Sequence, residues 1–132
     1  MPANGPNESG FFRDSQCSQP DQLGDDQALI IQTTSGLVVI AGCAHAGIAN
    51  TLDRVAELSG RRECFGLVGG LHLWRATHKE WEVSANAIGR GKLQVIAPCH
   101  CTGIGANAYL RARFHSLVRD VGVGTRLHFG ER

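Results

Sequence analysis

The sequence predicts an α/β domain in which short apolar strands alternate with amphipathic helices. Three observations carry that reading. Runs rich in aliphatic or β-branched residues recur at positions 27–33, 37–41, 65–68 and 93–97, each too short for a helix. Between the later runs, segments 47–59, 77–88 and 104–118 carry apolar residues at helical intervals. Glycines and polar turn residues separate nearly every pair of segments. The order β-β-α-β-α-β-α-β makes the later strands parallel, with helices crossing over in the right-handed sense.

Taken in order, residues 1–24 are rich in Pro, Gly, Ser, Asn and Gln and are expected to form a flexible arm, with the folded domain spanning 25–132. Segments 27–33 and 37–41 are separated by Thr34-Ser35-Gly36 and should pair as a hairpin. In 47–59, Ile48, Leu52, Val55 and Ala56 share one helical face, and Gly60 ends the helix. Residues 65–68 read as a buried strand. Thr77 and Glu80 have the spacing of a capping box, and Trp81, Ala85 and Ile88 follow on one face. Residues 93–97 read as another buried strand, with Pro98 ending its ladder. Segment 104–118 carries Leu110, Phe114, Leu117 and Val118 on one face and is expected to be a helix. Val123, Thr125, Leu127 and Phe129 alternate with polar residues and glycine, predicting a last, half-buried strand.

At 132 residues the chain is long enough to bury a core without staples. A formal charge of +1 offers no electrostatic reason to expect nucleic acid or an anionic membrane as partner. No apolar stretch approaches the roughly 20 residues that span a bilayer, and the first residues show no basic-then-apolar signal pattern. Five cysteines, two of them flanking one histidine, argue against a disulfide framework and fit a reducing cytoplasm.

The chemistry concentrates at strand ends. His45, His72 and His100 each follow a predicted strand, 27 and 28 residues apart, one strand–helix unit each. Parallel strands place their carboxyl ends along one edge, outside which ligands bind in open α/β sheets. The three histidines should therefore gather there, among small residues such as Gly42, Gly47, Gly70 and Gly103 that leave room for an ion or substrate. Neutral imidazole is the commonest metal ligand, and zinc accepts His, Cys and carboxylate.

The stretches "DDQALIIQTTSGLVVIAGCAHAGIANTL" (25–52), "GLVGGLHL" (66–73) and "APCHCTG" (97–103) resemble the second half of a metallo-β-lactamase-fold hydrolase. The branch they are most similar to is the dihydropterin-ribofuranosyl-aminobenzene-phosphate-synthase-like one. The resemblance implies that His45 completes a first metal site and that His100 serves a second. His72 falls where many relatives have a bridging aspartate. The family's His-x-His-x-Asp-His motif occurs nowhere in this chain, so the chain reads as a truncated half of the αββα sandwich. The sheet face that would pack on the other half would then be an exposed apolar surface, and a second copy in an isologous homodimer would cover it.

The expected metal ligands are His45, His72, His100 and Cys101, holding zinc or another divalent transition metal, with Cys99 as a possible addition or substitute. Asp25 and Asp26 are candidate carboxylates whose simpler role is to begin the first strand in solvent. Cys43 and Cys64 read as small buried hydrophobes. His78, His115 and His128 read as structural, on a helix surface, mid-helix and on the last strand. Trp81 reads as core, while Trp74 would wall a substrate pocket or fill the dimer interface. The resemblance implies a small metal-dependent hydrolase of phosphotriesters or diesters that uses a metal-activated hydroxide, with His72 or His100 as acid or base. The alternatives are a noncatalytic partner module with a vacant or structural metal site and, further off, thiol catalysis by Cys101 or Cys43.

Overall fold

The computed structural model describes residues 11–21 and 23–130; the part of the expected arm at 1–10 lies outside the described residues. From Phe11 the chain makes a small loop closed by a bridge between Phe12 and Pro20. The hairpin follows as β1 (Ala28–Thr33) and β2 (Gly36–Ala41), paired antiparallel, with the Thr33 hydroxyl bonded to the Gly36 carbonyl across the turn. Next come α1 (Ile48–Ser59), β3 (Gly66–Gly70), α2 (His78–Arg90), β4 (Val95–Cys99) and α3 (Ile104–Phe114). The sheet order is β1-β2-β3-β4, with β2, β3 and β4 parallel.

Local signals explain the helix boundaries. Gly60 takes the left-handed conformation (φ 68°) that closes α1. At the start of α2 the capping box is complete: the Thr77 hydroxyl accepts the Glu80 N–H, and the Glu80 carboxylate accepts the Thr77 N–H. Those bonds hold the Glu80 carboxyl below its ordinary pKa.

Two successive crossovers in one direction put the helices on a single face of the sheet. There the aligned row Val39, Leu67 and Ile96 packs under Ile48, Leu52, Val55, Ile88 and Leu110. The opposite row is exposed at Leu29 and Ile40 and buried at Ala97, and Val68 there faces Val121 and Leu127 of the C-terminal segment.

Three sequence expectations change. Pro98 sits inside β4, paired with Gly69, instead of ending it. β4 is an edge strand, so the missing N–H costs no ladder bond. The expected long third helix stops at Phe114; His115 has φ 51°, breaks the helix and opens a 3-10 turn to Leu117, so it is not mid-helix. The last strand is also absent. After Val118, which bridges to Ile96, residues 119–130 run without ladder pairing, although Phe129 lies edge-on to Phe65. The Ile96 carbonyl accepts the Arg119 N–H at the outer edge, and two residues on that edge presents Pro98, which has no N–H to offer. Of the alternating residues, Leu127 and Phe129 are half-buried, Phe129 against Gly66, whereas Val123 is exposed in a turn where the Thr125 N–H donates to the Gly122 carbonyl. Among the described residues no helix is long and apolar enough to cross a membrane.

Candidate metal centre

β2, β3 and β4 end at Ala41, Gly70 and Cys99, and the second residue beyond each end is Cys43, His72 and Cys101. The three loops are bonded to one another. The Gly70 N–H donates to the Gly42 carbonyl (3.0 Å), and the Leu73 and Trp74 N–H groups both donate to the Cys101 carbonyl. The Thr102 hydroxyl, buried, donates to the Cys99 carbonyl at 2.8 Å and accepts the Leu71 N–H at 3.2 Å. Ala44, His72 and His100 all have φ between 49° and 55°. Such backbone costs roughly 1–2 kcal/mol per residue outside glycine, and each loop carries one instance beside a candidate ligand.

Two glycines permit this closeness. A Cβ on Gly69, at φ 127°, would lie 2.0 Å from the Ala41 carbonyl oxygen. One on Gly70 would lie 2.8 Å from the Cys101 sulfur and 3.2 Å from the Cys43 Cα. The GG pair of β3 therefore lets the sulfur-bearing loops meet over it.

The ligand atoms of Cys43, His100 and Cys101 lie within 4.8 Å of one another. A tetrahedral ion with sulfur at about 2.3 Å and nitrogen at about 2.0 Å sets its ligands roughly 3.5–3.8 Å apart. The donors fit such an ion after small inward shifts. His45 and His72 stand beside this group with rings 4.5 Å apart and edge-on, and Phe11 lies 6.1 Å from His45. The Cys101 thiol donates to the Cys43 carbonyl, and its pKa is pushed up to about 11. Burial is the main cause; the neighbouring Cys43 adds to it, and the His72 N–H opposes it.

Next to the cluster, on the side of His100, an open hollow of about 560 Å³ is walled by Val68, Pro98, Ile104, Val121 and Leu127. Asn107 and Thr125 supply polar groups, and among the described residues no Lys, Arg, Asp or Glu lines it.

No family model matches the chain. It is 35% identical to a solved structure described as a metal-dependent hydrolase of the β-lactamase superfamily, with a TM-score of 0.72. That match covers 80% of this chain and 41% of the other. The fold is that of the metallo-β-lactamase superfamily. A curated relative from Methanocaldococcus jannaschii, 7,8-dihydropterin-6-methyl-4-(beta-D-ribofuranosyl)-aminobenzene-5'-phosphate synthase, is 29% identical over 94 residues, 71% of this chain and 32% of that protein. The chain thus spans about two-fifths of the superfamily structure and about a third of the synthase. One relative is described as a hydrolase and the other as a synthase, so the comparisons support a metal-dependent, hydrolase-like fold.

Within this superfamily fold the expected ligands fall into two groups. His100 and Cys101 join the compact trio, and His45 and His72 form the adjoining ring pair. Cys43, read from the sequence as a small buried hydrophobe, is half-buried and completes the trio. The sequence-read strand ends at 68 and 97 fall two residues short of the actual ends of β3 and β4, so the shared register of Cys43, His72 and Cys101 is not visible from the sequence. Cys99 lines the hollow and stands apart from the trio. Cys64 is buried in the core, as expected, and burial raises its pKa. Neither aspartate starts β1, which begins at Ala28: Asp25 is exposed, and Asp26 lies half-buried in the loop before the strand. Its carboxylate accepts the Ala46 N–H at 3.1 Å and so braces the His45 loop. Trp74 is exposed under the Arg75 guanidinium, 4.1 Å from its ring, and is not among the residues lining the hollow. Trp81 packs on the core and donates its indole N–H to the Leu73 carbonyl.

Proposed function

We propose that this chain is a metal-dependent hydrolase of phosphoesters, and that it prefers neutral esters to charged ones. The observation that carries the reading is the hollow at His100, which is apolar-walled and, among the described residues, lined by no Lys or Arg. Apart from the ion itself, a phosphomonoester dianion in this hollow would meet no Lys or Arg to replace the water it loses. A triester, or a diester with an aryl group, would fill the same walls with apolar surface.

A divalent ion held by the strand-end cluster supplies Lewis acidity and an activated water. His100 stands where the cluster meets the hollow. Asn107 and Thr125 orient the ester oxygens, and Val68, Ile104 and Leu127 exclude bulk water from the leaving group. His72, edge-on to His45, serves as the proton-transfer group. The exposed face carrying Leu29, Ile31 and Ile40 pairs with a second copy in the same proposal.

The test compares an aryl phosphotriester, diester and monoester with zinc-loaded and chelator-treated protein. One missing charge-assisted contact is worth about 1.5–3 kcal/mol, so the triester should exceed the monoester by at least about tenfold in kcat/KM. Turnover should vanish on chelation and in a folded His100→Ala variant. Equal or faster monoester turnover, or turnover that survives chelation, would overturn the reading.

A further inference from the structure

We infer that Cys43, Cys101 and His100 form a thiolate-rich site that selects a soft divalent ion such as Zn²⁺ or Cd²⁺ over oxygen-seeking ions. The inference deepens the hydrolase reading, because it concerns the same strand-end edge, but it does not require turnover.

The chemistry of the donors makes the case. Cys43 and Cys101 come from loops 58 residues apart, and the Cys101 thiol reaches the Cys43 carbonyl at 3.6 Å. Both sulfurs and a His100 nitrogen fall within 4.8 Å of one another, which a tetrahedral thiophilic ion would close to about 3.5–3.8 Å. Among the described residues no carboxylate belongs to this group, and the Asp26 carboxylate accepts the Ala46 N–H. Mg²⁺, Ca²⁺ and Mn²⁺ want six or more oxygen ligands, whereas thiolate with imidazole suits zinc and its heavier analogue.

Support for the two sulfurs is built into the backbone. Only glycine at position 70 leaves space for the Cys101 sulfur and the Cys43 backbone together. The left-handed φ of 51° at His100 turns the chain directly between Pro98-Cys99 in the strand and Cys101 in the loop. Three protein donors leave the fourth tetrahedral position open, on a cluster whose His100 also lines the hollow.

The test titrates Co²⁺ and Cd²⁺ into reduced, chelator-treated protein and follows thiolate-to-metal charge-transfer absorption in the near ultraviolet. The expected result is a band that saturates at about one ion per chain and that excess Mg²⁺ does not remove. Cys43→Ser and Cys101→Ser should each abolish or halve the band and weaken Cd²⁺ binding by more than about 100-fold, beyond the roughly 10–100-fold that losing an outer partner of a ligand costs. His45→Ala should keep the band. Alkylation of the unmutated protein needs no variant to fold: Cd²⁺ should protect Cys43 and Cys101 from iodoacetamide and leave the exposed Cys17 reactive. An absent band, unweakened binding in Cys43→Ser, or equal protection of Cys17 would overturn the inference. Binding with the band but without ester turnover would overturn the hydrolase reading alone; turnover without the band would overturn this one alone.

Discussion

The two faces of the sheet are made of the same residue types, but one is covered by helices over β2, β3 and β4 and the other is bare at its β1 end. On one, Val39, Leu67 and Ile96 are 0–1% exposed beneath three helices; on the other, Leu29, Ile31 and Ile40 are 64%, 42% and 36% exposed. Both rows are aliphatic, so composition does not separate them. What separates them is the crossover rule, which sends α1 and α2 over the same side; on the other, the segment after Val118 reaches Gly66 and Val68, Val38 and Ala97 are buried, and β1 with Ile40 stays bare. A strand's hydrophobicity reports that it is meant to be covered, but not that its own chain supplies the cover.

The largest expected effect contrasts the faces directly. Leu67→Ala should cost about 2–5 kcal/mol of unfolding free energy, as for other buried large-to-small changes. Leu29→Ala in the same sheet should stay within about 0.5 kcal/mol. Urea denaturation of both variants checks this, and equal losses would mean that Leu29 is covered in solution. Next in size is assembly. If the bare face pairs with a second copy, the protein sediments at twice the chain mass, and Ile31→Lys shifts it to monomer with its circular dichroism unchanged. Sedimentation of the unmutated chain as a monomer would break that half of the comparison.

The smallest effect concerns protons. Cys64 under the helices and Cys101 at the strand ends both have raised pKa values in the folded chain, Cys101 up to about 11 from an ordinary 9.0. The folded state therefore binds more protons than the unfolded one once free thiols begin to ionise. Their contribution is fully present below about pH 9 and is lost as pH rises through the folded values. Chelated protein should accordingly be less stable at about pH 10.5 than at about pH 8, and Cys64→Ala should flatten part of that slope.

Much of this was legible in the sequence because it was locally encoded. Thr33 to Gly36 marks the hairpin, Thr77 and Glu80 mark the start of α2, and Gly60 marks the end of α1. The convergence of the His45, His72 and His100 loops followed from strand order alone. Other features depend on what lies alongside. The alternation of Val123 to Phe129 carries no information about whether an edge with free N–H groups is waiting, and Pro98 removes that edge. The end of α3 at His115 was equally hidden, since a histidine carries no sequence mark of left-handed backbone. Cys43 was misread because a buried thiol and a ligand thiol look alike until a partner sulfur is placed beside it.

The register of Cys43, His72 and Cys101, each two residues past its strand, makes the strand ends behave as sockets. The sheet fixes where each socket is, while the side chain seated in it contributes little to the core. Exchanging one sulfur for an imidazole or a carboxylate would harden the preferred ion without moving a strand. The chemistry of this edge can therefore drift by single substitutions while the fold beneath it stays still.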